Sequence, residues 1–323
     1  MAETEIISHM ASKVSDDIFS VFGWRATGPI NQNWECSLEA HKKKTHPSDV
    51  VFWYDDPYST TRVFVNTDLK SYGATSISKA SVAGAVSSLG QTIECANVGP
   101  GWRALYGSDE TNWRCDGLLF IYNHDAAYDG EFAKLLAEID VANFRLPPRR
   151  RMVIMGPPEV QFLNNVANDI VRLRGQSQLP DLVHCEYWYP DLVNVKRRVE
   201  GASAASLEML TGPWIVMRPR PEKHNKLEFL IWYRGDGSTI DEFKYLLDSL
   251  FRYQMLNVDT DASVRIRVVN PHTAAVSNFA RAKEQYSQAL FGLAEKRLAN
   301  VRYESVSQVI TRFSEQELGM ERG

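Results

Sequence analysis

Residues 49–72 constrain the fold of this chain more than any other segment, because two apolar runs there are separated only by a turn. The runs are 50–53 (Val-Val-Phe-Trp) and 63–65 (Val-Phe-Val), and Pro57 and Ser59 lie between them. Apolar runs of this kind on either side of turn-forming residues are typical of two strands joined as a hairpin. The segment therefore predicts an antiparallel strand pair at the centre of an α/β fold.

Three charged side chains lie at the open end of this predicted hairpin. Asp49 precedes the first strand, and Asp68 and Lys70 follow the apolar part of the second. Side chains alternate along a strand, so Asp68 and Lys70 share one face and Leu69 points to the other. Antiparallel pairing returns the end of the second strand to the start of the first. Two carboxylates and one ammonium are therefore predicted to meet at one place on the sheet.

These groups match the requirements of phosphodiester hydrolysis. Two carboxylates can hold a divalent cation, which polarises a phosphate and lowers the pKa of bound water. A nearby lysine can orient the water or offset charge in the transition state. The alternative is that Asp49 caps a strand, while Asp68 and Lys70 form an exposed ion pair of little energetic value. The convergence of all three residues favours the catalytic interpretation.

Residues 47–49 (Pro-Ser-Asp), followed after eighteen residues by 68–70 (Asp-Leu-Lys), resemble the motif of the PD-(D/E)XK nuclease superfamily. The resemblance covers roughly residues 1–123, and Ser48 between the proline and the acid departs from the literal motif. It implies a restriction-endonuclease-like mixed sheet with flanking helices. It also implies an endonuclease that uses Mg²⁺ or Mn²⁺ and acts on nucleic acid, with DNA favoured over RNA.

The same resemblance implies further site residues beside the metal ligands Asp49 and Asp68 and the catalytic Lys70. A polar catalytic residue is expected on the helix after the lysine, where Gln91 is the candidate. An additional acidic metal ligand is expected from Glu35, Asp16 or Asp17. The candidate nucleic-acid contacts are Lys42, Lys43, Lys44 and Tyr72. A lysine run is more commonly a solvated face, and that alternative stays open.

The rest of the chain predicts helices over residues 3–22 and 76–96 and a buried strand over 118–122. Beyond them, residues 118–122 (Leu-Leu-Phe-Ile-Tyr) are similar to 229–233 (Phe-Leu-Ile-Trp-Tyr), and each run is followed by a helical pattern, a second strand and a long helix. Chance similarity between short apolar strands is the alternative to an internal repeat.

The predicted domains are therefore a nuclease-like domain over residues 1–112 and a C-terminal α/β domain over 113–323. The second domain would hold a duplicated β-α-β-α module at about residues 116–174 and 227–296, whose last helix is expected over 273–299. The aromatic residues 187–189 (Tyr-Trp-Tyr) are not all expected to be buried.

Composition excludes several classes of protein. The 36 basic and 40 acidic residues leave a net charge of −4, which argues against a polycation but allows a local basic groove. No run of apolar residues approaches the length of a membrane span. His41 and His46 flank the lysine run and are expected on the surface, with contact to metal or phosphate as the alternative. The cysteines form no C-x-x-C pair, which gives a zinc ribbon no support and favours free thiols in a reducing cytoplasm; they are Cys36, Cys95, Cys115 and Cys185.

The function predicted from the sequence is a metal-dependent endonuclease in prokaryotic defence. Residues 66–72 resemble proteins encoded in bacterial defence loci. Cutting both strands takes two sites, so a homodimer or a partner defence subunit is expected. The alternative is a non-catalytic nucleic-acid-binding or scaffold subunit, in which the duplicated half recognises nucleic acid or a partner.

Overall fold

The computed structural model describes residues 13, 15–107, 109–140, 144, 146–192, 202–220, 227–256, 262–288 and 293–309. The described residues divide into two compact units. The first contains residues up to 56 together with 60–164, and the second contains 57–59 together with 165–309. Most of the helix predicted over 3–22 lies outside the described residues, and its described part is helical over 15–21.

The first unit is an α/β unit built on a five-stranded mixed sheet of order β1-β4-β5-β6-β7, with a separate two-stranded sheet of β2 and β3. The last helix of this series begins in the first unit and ends in the second. In chain order the elements are α1 (residues 15–21), β1 (Arg25–Thr27), β2 (Gln32–Glu35), β3 (Thr45–Ser48), β4 (Val50–Asp55), β5 (Arg62–Tyr72), α2 (Lys79–Ala96), α3 (Pro100–Tyr106), β6 (Trp113–Asn123), α4 (Phe132–Ala137), β7 (Met152–Met155) and α5 (Pro157–Gly175).

The predicted hairpin is confirmed as β4 and β5. The two strands pair antiparallel, with Val50 opposite Thr67 and Asp55 opposite Arg62. On its other side β5 pairs in parallel with β6 along its whole length, and β6 pairs in parallel with β7. The hairpin is therefore interior to the sheet, and its strands carry the continuous apolar runs that burial on both faces requires.

Helix α2 covers one face of this sheet, as the small residues of its sequence predicted. Ser78 caps its N-terminus, and its hydroxyl accepts a hydrogen bond from the backbone N–H of Ser81. The buried residues Leu89 and Ile93 face the sheet at helical spacing. Opposite them β6 has Gly117, where a Cβ atom would lie 2.1 Å from Ile93 Cδ1. The absence of a side chain on Gly117 is what allows the close approach of α2.

The domain boundary predicted after residue 112 falls between β5 and β6, which are hydrogen-bonded neighbours in one sheet. The first unit continues to residue 164. Strand β7 completes the sheet from Met152 to Met155, so the division lies beyond it. Parallel strands joined by long connections produce no local sequence pattern that shows their pairing. The predicted boundary after residue 112 therefore lies too early in the chain.

The second unit contains a five-stranded sheet of order β12-β11-β10-β9-β8. Strand β9 is antiparallel to both of its neighbours, whereas β10, β11 and β12 run parallel to one another. The elements are β8 (Cys185–Tyr187), α6 (Leu207–Thr211), β9 (Trp214–Pro219), β10 (Glu228–Tyr233), α7 (Ile240–Arg252), β11 (Ser263–Val269), α8 (Ala275–Gln288), α9 (Leu293–Ala299) and β12 (Val301–Val306).

The two segments predicted as a repeat share the element order β-α-β-α. In one segment the order is β6, α4, β7 and α5, and in the other it is β10, α7, β11 and α8. Each contains a parallel strand pair. The first pair belongs to the sheet of the first unit, so the two copies do not share the C-terminal domain as predicted. Their common origin stays a prediction. The segment predicted as one helix over 273–299 contains α8 and α9. Residues 289–292 between them lie outside the described residues.

The prediction that the aromatic run 187–189 cannot be wholly buried is wrong. Tyr187, Trp188 and Tyr189 are 1%, 7% and 7% exposed. Trp188 packs edge-on against Phe229, and the hydroxyl of Tyr189 accepts a hydrogen bond from Ser206 N. Both faces of the segment are therefore covered.

Among the helices of the described residues, none combines the length and the apolarity that a membrane crossing requires.

Candidate active site

Asp49 and Asp68 meet where strand β4 begins. The ladder between β4 and β5 ends with Val50 opposite Thr67, so the backbone of Leu69 lies beyond the last paired residue of β4. Its N–H donates instead to Asp49 Oδ2 over 2.7 Å. Because Asp49 immediately precedes β4, its carboxylate takes over the role of a strand partner. This contact holds Asp49 against β5 beside Asp68, as the hairpin predicted.

Lys70 lies on the same face as Asp68, two residues along β5. Its Nζ donates to Asp68 Oδ1 over 2.5 Å. The Lys70 side chain is 32% exposed and that of Asp68 is 16% exposed, so the pair is partly shielded from water. The convergence of all three side chains in the structure agrees with the geometry that the sequence predicted.

Burial and neighbouring charges shift the pKa values of Asp49 and Lys70. Burial raises the pKa of Asp49; the hydrogen bond from Leu69 opposes that shift, and the neighbouring Asp68 carboxylate adds to it. Burial by itself lowers the pKa of Lys70, but the charges of Asp68 and Asp49 outweigh it and raise that pKa above its usual value. Lys70 is therefore an ammonium at neutral pH, and the neighbouring Asp68 disfavours the charged form of Asp49.

A small cleft opens beside the two carboxylates. Helix α2 contributes Ser88, Leu89 and Thr92 to it, and the strands contribute Pro47, Asp49, Thr67 and Asp68. The predicted catalytic residue Gln91 is half-buried on α2 but does not line this cleft. Gln91 lies about 200° around the helix from the buried Leu89. The helical period of the buried residues would have favoured Ser88 and Thr92, which the sequence reasoning missed.

Glu35 is not brought to the carboxylate pair. It is exposed at the end of β2 and lies opposite Thr45, four residues before Asp49. That separation is roughly 13 Å along an extended strand. The other candidates for a third acid, Asp16 and Asp17, lie on the exposed side of α1.

Among the predicted nucleic-acid contacts, Lys43 contacts a residue that lines the cleft. Lys42, Lys43 and Lys44 are all exposed, and Lys43 Nζ donates to the hydroxyl of Ser88 over 3.3 Å. Because Ser88 lines the cleft, this contact brings one lysine of the run to its rim. Tyr72 is half-buried, packs with the residues of α2 and β6 and lies two residues beyond Lys70 on the same strand.

The surface location predicted for His41 and His46 is wrong. The two residues are 8% and 0% exposed, and their rings contact each other at right angles with centroids 5.1 Å apart. Burial, with the charges of His41 and Lys43 adding to it, lowers the pKa of His46 to about 4. Neither ring stays in solvent, because β2, β3 and α2 enclose them.

Fold and site together place the first unit in the PD-(D/E)XK class of nuclease domains. Its hairpin presents the acid, acid and lysine of that class beside a helix that packs across the sheet. Residues 1–159 match the family model of the GAPS4 protein PD-(D/E)XK nuclease domain. The resemblance and the α/β fold predicted from the sequence are confirmed. No curated protein and no solved structure shows significant similarity to the chain.

Proposed function

We propose that this protein is a metal-dependent endonuclease that hydrolyses phosphodiester bonds in DNA. The observation that carries the proposal is the convergence of Asp49, Asp68 and Lys70 beside a small cleft. The family of the first unit supports nuclease chemistry. That family and the resemblance of residues 66–72 to bacterial defence proteins support a role in prokaryotic defence in the cytoplasm.

The donor set of the cleft fits a hard divalent cation. Asp49 engages one carboxylate oxygen with Leu69 N, and Asp68 engages one with Lys70 Nζ. The two carboxyl groups also lie close enough to interact with each other, and oxygen ligands are those that Mg²⁺ and Mn²⁺ prefer. A cation between two carboxylates that repel each other would relieve the repulsion. Such an ion, when bound, polarises the phosphate and lowers the pKa of a bound water.

Lys70 supplies a positive charge that the protein holds in place. Its ammonium is anchored on Asp68 and remains protonated because the neighbouring carboxylates raise its pKa. An ammonium at this position offsets the charge that develops on a phosphate during hydrolysis and orients the attacking water by hydrogen bonding. In this proposal Lys43 at the rim, with the exposed Lys42 and Lys44, contacts the phosphate backbone of the same strand; the contact of Lys43 with Ser88 supports this role.

The test is a cleavage assay on linear and circular DNA with Mg²⁺ or Mn²⁺, using the full chain and its Lys70→Ala variant. We expect the variant to lose activity by about 10²–10⁴-fold, since one positioned group of this kind contributes that much. Lys244→Ala is the matched control, because Lys244 also pairs with an aspartate, Asp241, but on α7 in the second unit. Equal cleavage by wild type and Lys70→Ala would overturn the proposal.

The same assay separates the alternative. Salt-dependent DNA binding by the wild type, without cleavage under either metal, would favour a binding or scaffold subunit. Cleavage of RNA but not of DNA would retain the chemistry and change the substrate. Cutting both strands takes two sites, so we also propose that the active species is a homodimer or a complex with a second subunit. The stoichiometry of the cleaving species, measured by light scattering, tests that part.

A further inference from the structure

A second group of ligating side chains lies behind the catalytic cleft, and the proposed nuclease chemistry does not use it. It consists of Cys36, His41, His46 and Cys95. Cys36 follows β2, His41 ends a short 3₁₀ turn, His46 lies on β3 and Cys95 lies in the last turn of α2. The last three are buried and Cys36 is half-buried. Four separate segments therefore converge on one enclosed point.

The spacing of the four ligand atoms is that of a tetrahedral metal site. All four lie within 4.8 Å of one another. Cys36 Sγ and Cys95 Sγ are 3.8 Å apart, Cys36 Sγ and His41 Nδ1 are 3.4 Å apart, and His41 Nδ1 and His46 Nε2 are 3.1 Å apart. Bond lengths of about 2.3 Å to sulfur and about 2.0 Å to nitrogen give tetrahedral edges of about 3.8 Å between sulfurs and about 3.3 Å between nitrogens.

The outer hydrogen bonds of the two histidines direct lone pairs toward the centre. His41 Nε2 lies 3.1 Å from the carboxylate of Glu94, which can only accept, so that nitrogen carries the proton and Nδ1 carries the lone pair. The hydroxyl of Thr92 donates to Ser88 O over 3.0 Å. It therefore accepts from His46 Nδ1, 3.4 Å away, and leaves a lone pair on His46 Nε2. Two nitrogen lone pairs thus face each other at hydrogen-bond distance with no hydrogen between them.

A cation bound between the two nitrogen lone pairs would accept both of them and so remove their repulsion. The remaining contacts are those of a second ligand shell. A carboxylate or hydroxyl on the outer nitrogen of a ligating histidine is the usual way in which proteins orient such a ring. The backbone N–H of Ser37 donates to Cys95 Sγ over 3.0 Å, which stabilises a thiolate at that position. All four positions are filled by protein ligands, which is characteristic of a structural rather than a catalytic metal site.

We infer that Cys36, His41, His46 and Cys95 bind one structural Zn²⁺ ion that clamps β2 and β3 onto helix α2. Two thiolates and two imidazoles in a tetrahedron select Zn²⁺ over Mg²⁺ or Ca²⁺, which take oxygen ligands. The compact spacing accommodates a single ion rather than an iron–sulfur cluster, in which the ligands are divided between separate irons.

The position of this ion couples it to the shape of the catalytic cleft. His46 is three residues before Asp49, and Pro47 between them lines the cleft. Thr92 contacts His46 through its hydroxyl and lines the cleft as well. The zinc ion therefore fixes the side of the cleft formed by β3 and α2, while Asp49, Thr67 and Asp68 form the other side.

The experiment measures zinc in the untagged full chain, purified without added metal and dialysed. We expect one zinc per chain by mass spectrometry. X-ray absorption at the zinc edge should give two sulfur ligands at about 2.3 Å and two nitrogen ligands at about 2.0 Å. Replacement by Co²⁺ should produce the thiolate-to-cobalt charge-transfer band and the visible bands of a tetrahedral site.

Cys36→Ser should lose the zinc, and its half-buried position makes it the ligand variant best able to fold. Cys185→Ser is the matched control, because Cys185 is a buried thiol in the second unit whose hydrogen bond to Pro180 O a serine can replace. Lys70→Ala should retain the zinc, so failure of the nuclease proposal would leave this result standing.

Three outcomes would overturn the inference. They are a wild-type protein that contains no zinc and gives no thiolate-to-cobalt band, zinc retained fully by Cys36→Ser, and a Cys36–Cys95 disulfide in protein purified under reducing conditions. The wild-type spectra decide the matter even where a ligand variant does not fold.

Discussion

At the scale of single residues, Asp169 shows how a buried charge is held in the second unit. Its carboxylate, on α5, accepts from Arg267 Nε over 2.5 Å, from Arg267 Nη2 over 2.9 Å and from Trp232 Nε1 over 2.8 Å. Arg267 also pairs with Glu304 on β12. Arg267 and Asp169 are both almost wholly buried. An arginine in such a place is tolerated only while its partners remain charged.

Replacement of Asp169 by asparagine is expected to lower the free energy of unfolding by about 3 kcal/mol, because it deprives a buried guanidinium of its buried carboxylate partner. Denaturant unfolding at pH 7 measures the change. Glu131→Gln is the control, since its pair with Lys134 is largely exposed and its loss should cost less than about 0.5 kcal/mol. Equal effects of the two substitutions would contradict the role given to burial.

The same pair predicts a dependence on pH. Burial alone raises the pKa of Asp169, but hydrogen bonds from Arg267, Arg172 and Trp232 outweigh it and lower that pKa below its usual value. A lowered pKa in the folded state contributes stability above the ordinary carboxyl pKa of about 3.9, and this is lost as the pH falls through the lowered value. The difference in stability between wild type and Asp169→Asn should therefore shrink below about pH 4.

At the scale of elements, the packing of α2 on β6 is what positions the cleft. Ser88 and Thr92 line the same cleft as the two carboxyl groups because Leu89 and Ile93 lie directly on the sheet. This close approach depends on Gly117, where any side chain would collide with Ile93. The periodicity of α2 predicted a helix packed on the sheet, but the depth of that packing depends on a glycine in another element.

Gly117→Val is expected to destabilise the protein by about 1–3 kcal/mol, because extra atoms are forced into a filled interface. It should also lower DNA cleavage by moving Ser88 and Thr92 away from Asp49 and Asp68. Gly84→Ala is the matched control within α2, since a Cβ there would meet no atom within 4 Å. That substitution should be stabilising by about 0.5–1 kcal/mol. Denaturant unfolding and the cleavage assay together check both results, and an unchanged Gly117→Val protein would contradict the packing argument.

At the scale of the whole molecule, the described chain consists of two units, each with its own five-stranded sheet and core. The proposed catalytic group and the inferred zinc ion both belong to the first unit, and the network around Asp169 belongs to the second. Each unit therefore has a separate stabilising feature.

Removal of zinc by a chelator is expected to open the first unit selectively, because a structural zinc ion contributes folding free energy directly. Hydrogen exchange should increase in β2, β3 and the C-terminal part of α2, and should stay unchanged in β10 and β11. Asp169→Asn should instead increase hydrogen exchange in β10 and β11 and leave it unchanged in β2 and β3. A uniform increase over both units after zinc removal, or none, would contradict this assignment.

The sequence by itself determined the hairpin and the meeting of Asp49, Asp68 and Lys70. Both follow from local rules, since alternation along a strand and antiparallel return over a short turn need only neighbouring residues. The same local pattern carried the resemblance to the PD-(D/E)XK superfamily, and the family match of residues 1–159 confirms it.

Only the tertiary structure decided the extent of the first unit. It also decided that Ser88 and Thr92, rather than Gln91, line the cleft, and that Glu35 lies away from the two carboxyl groups. The grouping of Cys36 and Cys95 with His41 and His46 likewise appears only in the tertiary structure. Each of these depends on contacts between residues that are far apart along the chain. Parallel pairing of β6 and β7 crosses long connections, and Cys95 joins the other three ligands only because α2 folds back over β3. Local periodicity carries no information about such contacts, which are specified by packing across the whole unit.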